Sequence, residues 1–298
     1  MKKLLFFFVT ALLISCSQDQ VDSAAQSSDP SSSVLEGKLL SFKDDKSFIN
    51  EYSQLSELKS GEERISWISK KGHVGFLNSN SDILEDVLDE NRIIYSDALK
   101  AIVNVESKVK IGGKVLWLHG LNLYELKTED ENKTTSELLI LEKNLSIYGS
   151  VFNANKLKDV PKITSRLTIP NINGRSFTYS KSANDKNYYM VVYNETIALN
   201  GNSTSKMYLK AYMTYRSCSF WRCTNKDDNT TGRYLYFNVN FVQPWVSVVS
   251  SGYTYAGSGV QTILLANLMS GPFQSNDFNM DGNVRMMVSN GFDWTQTF

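Results

Sequence analysis

The sequence is poor in the residues on which most local catalytic and metal-binding motifs depend. Its 298 residues include only two histidines and three cysteines. It has no Gly-x-Ser-x-Gly elbow, His-Glu-x-x-His helix, Walker loop or Gly-x-Gly-x-x-Gly turn. Basic and acidic residues balance at 31 each, which argues against nucleic acid or an anionic lipid surface as the main partner. One enzyme class stays open, a hydrolase with a carboxylate pair, because such a pair has no local signature.

Long apolar runs are also scarce, and the clearest one lies at the N-terminus. Lys2 and Lys3 precede an apolar stretch over residues 4–14, which is too short to cross a bilayer but suits a signal peptide. Leu13-Ile14-Ser15-Cys16 has the form of a bacterial lipobox. We therefore predict a signal peptide over residues 1–15 and lipid attachment, including palmitate, at Cys16. The alternative is an ordinary signal peptide with a chance cysteine.

Residues 16–33 are predicted to form a lipidated, disordered tether, because serine, glutamine, aspartate and alanine dominate and offer little to bury. Ser17 follows the anchor where an aspartate would favour inner-membrane retention. The expected location is thus the outer membrane, with lipid as the anchor's partner, and the choice between periplasmic and cell-surface orientation stays open.

The folded part is predicted to be α+β, with a mixed α/β region over residues 34–160. Helical spacing and a capping box at Ser60-Gly61-Glu62-Glu63 predict helices, and Gly112-Gly113 predicts a β-hairpin turn. The predicted helices are Asp44–Leu58, one opening at Ser60, Asp82–Leu88 and Asp97–Val103, followed by strands on either side of Gly112-Gly113 and at Leu121–Leu126.

An antiparallel, sandwich-like β domain is predicted over residues 161–298. Strict alternation over Lys206–Tyr215 and Tyr234–Phe241 places apolar residues on one face and polar or aromatic residues on the other. Further strands are expected at Ser176–Tyr179, Tyr188–Leu199 and Trp245–Tyr255.

Cys218 and Cys223 lie between the two clearest strands. In an oxidising compartment we predict a disulfide between them, because the spacing and the lack of a nearby histidine disfavour a metal or redox site. The bond would hold Phe220-Trp221-Arg222 in place.

Four tyrosines are predicted on the outward sides of these strands, namely Tyr208, Tyr212, Tyr234 and Tyr236. Together with Trp221 they would form an aromatic ligand-binding platform if the two strands pair. The preferred interpretation, however, is that a second sheet or the helical region covers this face.

The segment Asp277–Val284 matches the first eight positions of a calcium loop, with Asp277, Asn279 and Asp281 as ligands. Position twelve is Val288 rather than an acid, so an Asx-rich hairpin turn at Gly282 is the preferred interpretation. No other cofactor is predicted. His73 and His119 are both expected to be surface or turn residues.

With the lipobox, Ser96–Leu126 resembles a module of surface lipoproteins from the Bacteroidota. The matching features are Asp97, Val103-Asn104, Ile111-Gly112 and Val115-Leu116-Trp117, with Glu62-Glu63-Arg64 and Trp67 upstream and Tyr208–Trp221 downstream. Gly113 departs from the pattern, where aspartate is usual. The resemblance implies an outer-membrane location and carries no known activity or site residue.

The sequence thus favours a lipid-anchored, non-enzymatic envelope protein that binds a glycan or protein through its aromatic β domain. A carboxylate-based envelope hydrolase and a structural subunit of an envelope assembly are the alternatives.

Overall fold

The computed structural model describes residues 33–79, 95–153, 177–219, 222–243, 246–268 and 279–297. The predicted signal peptide, the tether up to residue 32, the predicted helix Asp82–Leu88 and Trp221 lie outside these ranges. Residues 32–298 form one compact unit. More than half of the described residues lie in strands, so the fold is predominantly β, with a curled sheet and a few helices.

The helices within the described ranges all belong to the first half of the chain. They are α1 (Asp45–Glu57), α2 (Gly61–Lys71), α3 (Asp97–Ile102) and α4 (Thr135–Leu141), with short 3-10 turns at Phe76–Asn78, Thr128–Asp130 and Glu142–Asn144.

The strands run through both halves. They are β1 (Ser33–Glu36), β2 (Leu39–Phe42), β3 (Lys108–Ile111), β4 (Lys114–His119), β5 (Asn122–Glu125), β6 (Ser146–Asn153), β7 (Phe177–Ala183), β8 (Lys186–Leu199), β9 (Asn202–Ser219), β10 (Arg222–Asp227), β11 (Arg233–Gln243), β12 (Val246–Gly257), β13 (Gln261–Asn267), β14 (Asn279–Val288) and β15 (Asp293–Thr297).

Local capping explains where the first helices begin. The Asp44 carboxylate accepts a hydrogen bond from the Ser47 amide at 2.8 Å, at the start of α1. Ser60 and Glu63 form the predicted reciprocal capping box at the start of α2. Helix α2 ends at Lys71 and is capped by Gly72, whose φ of +66° is the left-handed conformation that favours glycine after a helix. These predicted helices are confirmed to within a residue or so.

The larger sheet has the strand order β1-β2-β3-β4-β5-β6-β8-β9-β10, with β7 also pairing with β8 and β13 also pairing with β9. Its pairs are antiparallel except β2–β3. The predicted Gly-Gly hairpin is confirmed as the β3–β4 turn, where Gly112 and Gly113 have positive φ. Strand β6 pairs directly with β8, so the sheet continues across the compositional boundary predicted at residue 160.

The long β8–β9 hairpin has one layer on each side. On one side, Met207, Leu209 and Met213 pack against a four-stranded sheet of order β12-β11-β14-β15. On the other side, Ile197 and Leu199 pack with the apolar faces of α1, α2 and α3. The result is a sandwich of two sheets with helices on the outer face of the larger sheet, which is the expected way to bury both faces.

Candidate functional site

The outer face of the four-stranded sheet carries four tyrosines, which we call the tyrosine face: Tyr234, Tyr236, Tyr253 and Tyr255. Strand register brings them together, because Tyr234 lies opposite Tyr255 and Tyr236 lies opposite Tyr253 in the antiparallel β11–β12 pair. Side chains alternate between faces along a strand. Leu235, Val239 and Phe241 of β11 therefore point into the core, where they are buried.

The four rings contact one another while remaining open to solvent. Ring centroids are 5.8 Å apart for Tyr234 and Tyr253, 5.0 Å for Tyr234 and Tyr255, and 4.8 Å for Tyr236 and Tyr253. Tyr253 is 58% exposed, Tyr255 55% and Tyr234 37%. Cross-strand aromatic pairs of this kind stabilise a sheet and hold the rings in fixed positions.

Gly252 lies opposite Phe237 on the core side of the same strand pair. A Cβ at Gly252 would lie 2.6 Å from the Phe237 ring, so the absence of a side chain lets that ring pack directly on the β12 backbone. This contact supports the tyrosine face from beneath.

Polar side chains surround the rings. Asn238 and Ser251 are exposed beside them, and Asn240 accepts a hydrogen bond from the Ser247 hydroxyl at 2.6 Å. The Arg285 guanidinium lies 5.5 Å from the centroid of the Tyr236 ring. The face therefore combines flat aromatic surface with amide and hydroxyl groups that can form hydrogen bonds with a ligand.

Arg285 also forms an ion pair across to β15. Its Nε donates to Asp293 Oδ1 at 2.8 Å and its Nη2 donates to Oδ2 at 2.5 Å. These hydrogen bonds lower the pKa of the Asp293 carboxyl. Asp293 is thus held as the ionised partner of Arg285, which does not suit it to act as a general acid near neutral pH.

The structure separates the four tyrosines that the sequence grouped into one platform. Strand β9 belongs to the larger sheet and β11 to the smaller one, so the pairing that the platform required does not occur. Tyr234 and Tyr236 are on the tyrosine face, whereas Tyr208 and Tyr212 are 1% and 2% exposed. The alternating pattern correctly predicted which side chains share a face of each strand. In β9, however, the face that carries Tyr208 and Tyr212 is buried as well as the apolar face.

Tyr208 belongs to a buried polar cluster around Glu195. Tyr52 of α1 donates to Glu195 Oε1 at 2.7 Å, and the Ser96 amide donates to Oε2 at 2.7 Å. The hydroxyls of Tyr208 and Tyr52 are 2.8 Å apart, and Ser56 Oγ lies 2.8 Å from Tyr208. Burial raises the pKa of Glu195, and the hydrogen bonds that it accepts from Ser96 and Tyr52 partly oppose this rise.

Glu195 has no exposed surface, so it cannot touch a substrate in this conformation. Its two carboxylate oxygens join α1 and the start of α3 to β8. We therefore assign the cluster a structural role, in which it holds the helices on the sheet.

The predicted disulfide is confirmed. Cys218 and Cys223 are bonded and lie opposite each other in the β9–β10 pair, with a Cα–Cα distance of 4.0 Å. The bond joins two strands that are already paired. Trp221 lies outside the described residues.

The calcium motif is only partly described, and the described part is a strand. Asp277 lies outside the described residues, while Asn279 and Asp281 belong to β14. The preferred prediction of a hairpin turn at Gly282 is wrong, because Gly282 lies within β14 and opposite Val239 of β11. Among the described residues, no three His, Cys, Asp or Glu side chains form a group that could hold a metal ion.

The two histidines differ in environment. His119 fits the prediction of a partly exposed residue at a strand end, and its ring stacks on Trp117 at 4.8 Å. His73 follows a turn, as predicted, but it is not a surface residue, because it is only 4% exposed. Burial lowers its pKa. It follows Gly72, which caps α2, and the short turn directs its ring inward.

Tyr253 and Tyr255 were not assigned to a site from the sequence. A strand was predicted there, and the alternation of Ser251, Tyr253 and Tyr255 was the signal that could have placed them on one face. Their neighbours on that face come from β11, and only the register supplies that information.

No helix within the described ranges is both long and apolar enough to cross a bilayer. No protein-family model and no curated protein matches the chain. A solved structure that aligns with it is a DUF4848 family protein from Bacteroides thetaiotaomicron, with 12% identity over 89% of this chain and 98% of the other. The TM-score is 0.22, a level of agreement that supports no inference about this chain.

Proposed function

We propose that this protein is a lipid-anchored, non-enzymatic protein of the outer membrane that binds a glycan through the tyrosine face. The observation that carries the proposal is a contiguous cluster of four tyrosines on a sheet whose other face is core, in which Tyr234, Tyr253 and Tyr255 are exposed and Tyr236 is half-buried.

Aromatic rings suit this task because the apolar face of a sugar ring can pack on them while its hydroxyls remain free to form hydrogen bonds. Tyrosine offers a large contact area at a low cost in conformational entropy. Because the rings already contact one another across β11 and β12, little ordering is needed on binding. Asn238 and Ser251 lie where they could bond to sugar hydroxyls.

The proposed anchor would keep the binding face near the membrane. Acyl chains on Cys16 would hold the protein, since more than one chain is needed for stable attachment. The 16 residues of Ser17–Ser32, which precede β1, would give a flexible spacer with a mean reach of about 20–25 Å.

A protein partner is the second candidate, because tyrosine, serine and asparagine together also dominate antibody binding surfaces. Val249, which is 71% exposed at the end of the tyrosine face, is the specific observation that favours it. The envelope-assembly alternative would use the same surface, whereas a hydrolase would require two accessible carboxylates beside it.

A glycan array with the soluble unit from residue 33 onward tests the proposal. The variant Tyr253→Thr/Tyr255→Thr removes the two most exposed rings and retains residues with high β propensity. The matched control is Tyr215→Thr, because Tyr215 is a 39% exposed tyrosine on β9, away from the face. We expect the double variant to lose roughly tenfold or more in affinity and the control to bind like the wild type.

Equal glycan signals from all three proteins would refute the tyrosine face as the glycan site. Binding of the wild type to an envelope protein but to no glycan would favour the second candidate. The anchor is tested separately by palmitate labelling of the full chain and of Cys16→Ala, where recovery of the unlabelled wild type in the cytosol would contradict it.

A further inference from the structure

A lysine and an asparagine face each other on neighbouring strands at the edge of the buried cluster. Lys206 of β9 and Asn267 of β13 are directly opposite in the antiparallel register. The Lys206 Nζ donates to Asn267 Oδ1 at 2.5 Å. Because Oδ1 is bonded to Cγ, the amine is held next to the carbonyl carbon of the asparagine side chain.

The environment of Lys206 favours its neutral, nucleophilic form. The residue is 2% exposed, and its Nζ lies 5.7 Å from the centroid of the Tyr52 ring. Burial lowers its pKa to about 8, although the charges of Glu57 and Glu195 oppose the shift. With this pKa about a tenth of the amine is unprotonated at pH 7, far more than for an exposed lysine.

A carboxylate lies on the other side of the asparagine amide. Asn267 Nδ2 donates to Oε1 of Glu57, the last residue of α1, at 3.5 Å. The Glu57 charge also acts on the Lys206 amine, so this carboxylate is near enough to both nitrogens to take a proton from the amine as it attacks and to deliver it to the departing nitrogen. Asn267 and Glu57 are exposed, so released ammonia has a direct path to solvent.

From this arrangement we propose that Lys206 and Asn267 form an intramolecular isopeptide bond, with Glu57 as the proton relay. Lys206 Nζ attacks Asn267 Cγ, the new Nζ–Cγ amide bond forms, and the Cγ–Nδ2 bond breaks. The amine loses one proton, Glu57 transfers it to Nδ2, and Nδ2 leaves as ammonia. No oxidant, reductant or cofactor is required.

The bond would close a loop of 61 residues that contains β10, β11 and β12. It would thus tie the strands that carry the tyrosine face to the larger sheet. A cross-link over a loop of this length restricts the unfolded chain strongly, so a rise in Tm of roughly 10 °C is expected.

Intact mass spectrometry of the wild-type protein gives the first test. We expect a mass one ammonia lower than that calculated for the processed chain, after allowing for the disulfide and for the acyl chains on Cys16. Because trypsin does not cleave after an acylated lysine, the digest should contain one branched peptide that joins Lys206 to Asn267.

Variants separate the proton relay from the reacting pair. Lys206→Arg and Glu57→Gln should both lack the loss of ammonia. Because Glu57 is exposed, Glu57→Gln does not disturb the core and leaves both Lys206 and Asn267 in place. Glu62→Gln is the control, as an exposed glutamate on α2, and should cross-link like the wild type.

A wild-type protein that lacks the loss of ammonia and shows normal tryptic cleavage after Lys206 would overturn the proposal. Loss of ammonia without the branched peptide would also overturn it, because cyclisation of an asparagine to a succinimide loses the same mass. These outcomes do not depend on whether the tyrosine face binds a glycan.

Discussion

Replacing Gly282 with alanine should destabilise the protein strongly, because Gly282 lies in an unusual position within a strand. Its φ is +112°, and a Cβ built there would lie 2.1 Å from the carbonyl oxygen of Asn238 and 3.0 Å from Val239 Cα. Both contacts are to the backbone of β11. That strand is paired on both sides, with β12 and β14, so it cannot move away locally.

The magnitude has two parts. A non-glycine residue in this conformation costs about 1–3 kcal/mol. Forcing a methyl group into a packed site costs about 1–3 kcal/mol more. We therefore expect Gly282→Ala to lower the free energy of unfolding by about 2–6 kcal/mol, and the middle of that range corresponds to a fall in Tm of roughly 10 °C for a body of this size.

Gly291→Ala is the matched control. Gly291 has a φ of +88°, but no atom lies within 4 Å of the position that its Cβ would take. Gly291→Ala should therefore lower the free energy of unfolding only by the cost of the backbone conformation, about 1–2 kcal/mol. Thermal unfolding followed by circular dichroism would compare the two variants, and equal losses, or a larger loss for Gly291→Ala, would refute the reasoning.

The same measurement bears on the calcium motif. Residues 279–288 form an extended strand, so millimolar calcium should leave the Tm of the wild type unchanged. A calcium-dependent rise in Tm that Gly282→Ala abolishes would show that this segment binds the ion.

Three further predictions concern the buried groups and the disulfide. The pKa of Glu195 is raised in the folded state, so above pH 4.5 the native protein binds more protons than the unfolded chain. The wild type should therefore lose stability relative to Glu195→Gln as pH rises, which urea unfolding from pH 4 to 8 would measure. Parallel curves of stability against pH for the two proteins would contradict this. Burial alone would raise the pKa of Asp228, but hydrogen bonds, above all the one from Lys186, lower it overall. The contribution of Asp228 to folding stability should therefore be lost as pH falls below about 4. Asp228→Asn should lower the free energy of unfolding by about 2–3 kcal/mol at pH 7 and have little effect in acid. Reducing the Cys218–Cys223 bond should lower stability by no more than about 2 kcal/mol, because the loop is short and its strands are already paired; unfolding of the whole body on reduction would show that the bond contributes more than this.

Much of the local structure followed from the sequence, because its causes lie within a few residues. The Ser60–Glu63 capping box, the Gly112-Gly113 turn and the alternation of Leu235 to Phe241 were all visible in the sequence. Each depends on contacts between near neighbours, so no knowledge of the rest of the chain was needed.

The tertiary structure decided which faces meet water and which distant residues meet. Alternation grouped Tyr208 with Tyr212, and Tyr234 with Tyr236, but only the structure shows that the first pair is buried and that the second pair is open to solvent at least in part. The contact of Lys206 with Asn267 spans 61 residues, and that of Tyr52 with Glu195 spans 143. Periodicity states which side chains share a face and leaves open what covers that face. That choice depends on how the layers pack to bury apolar surface, which is a property of the whole chain.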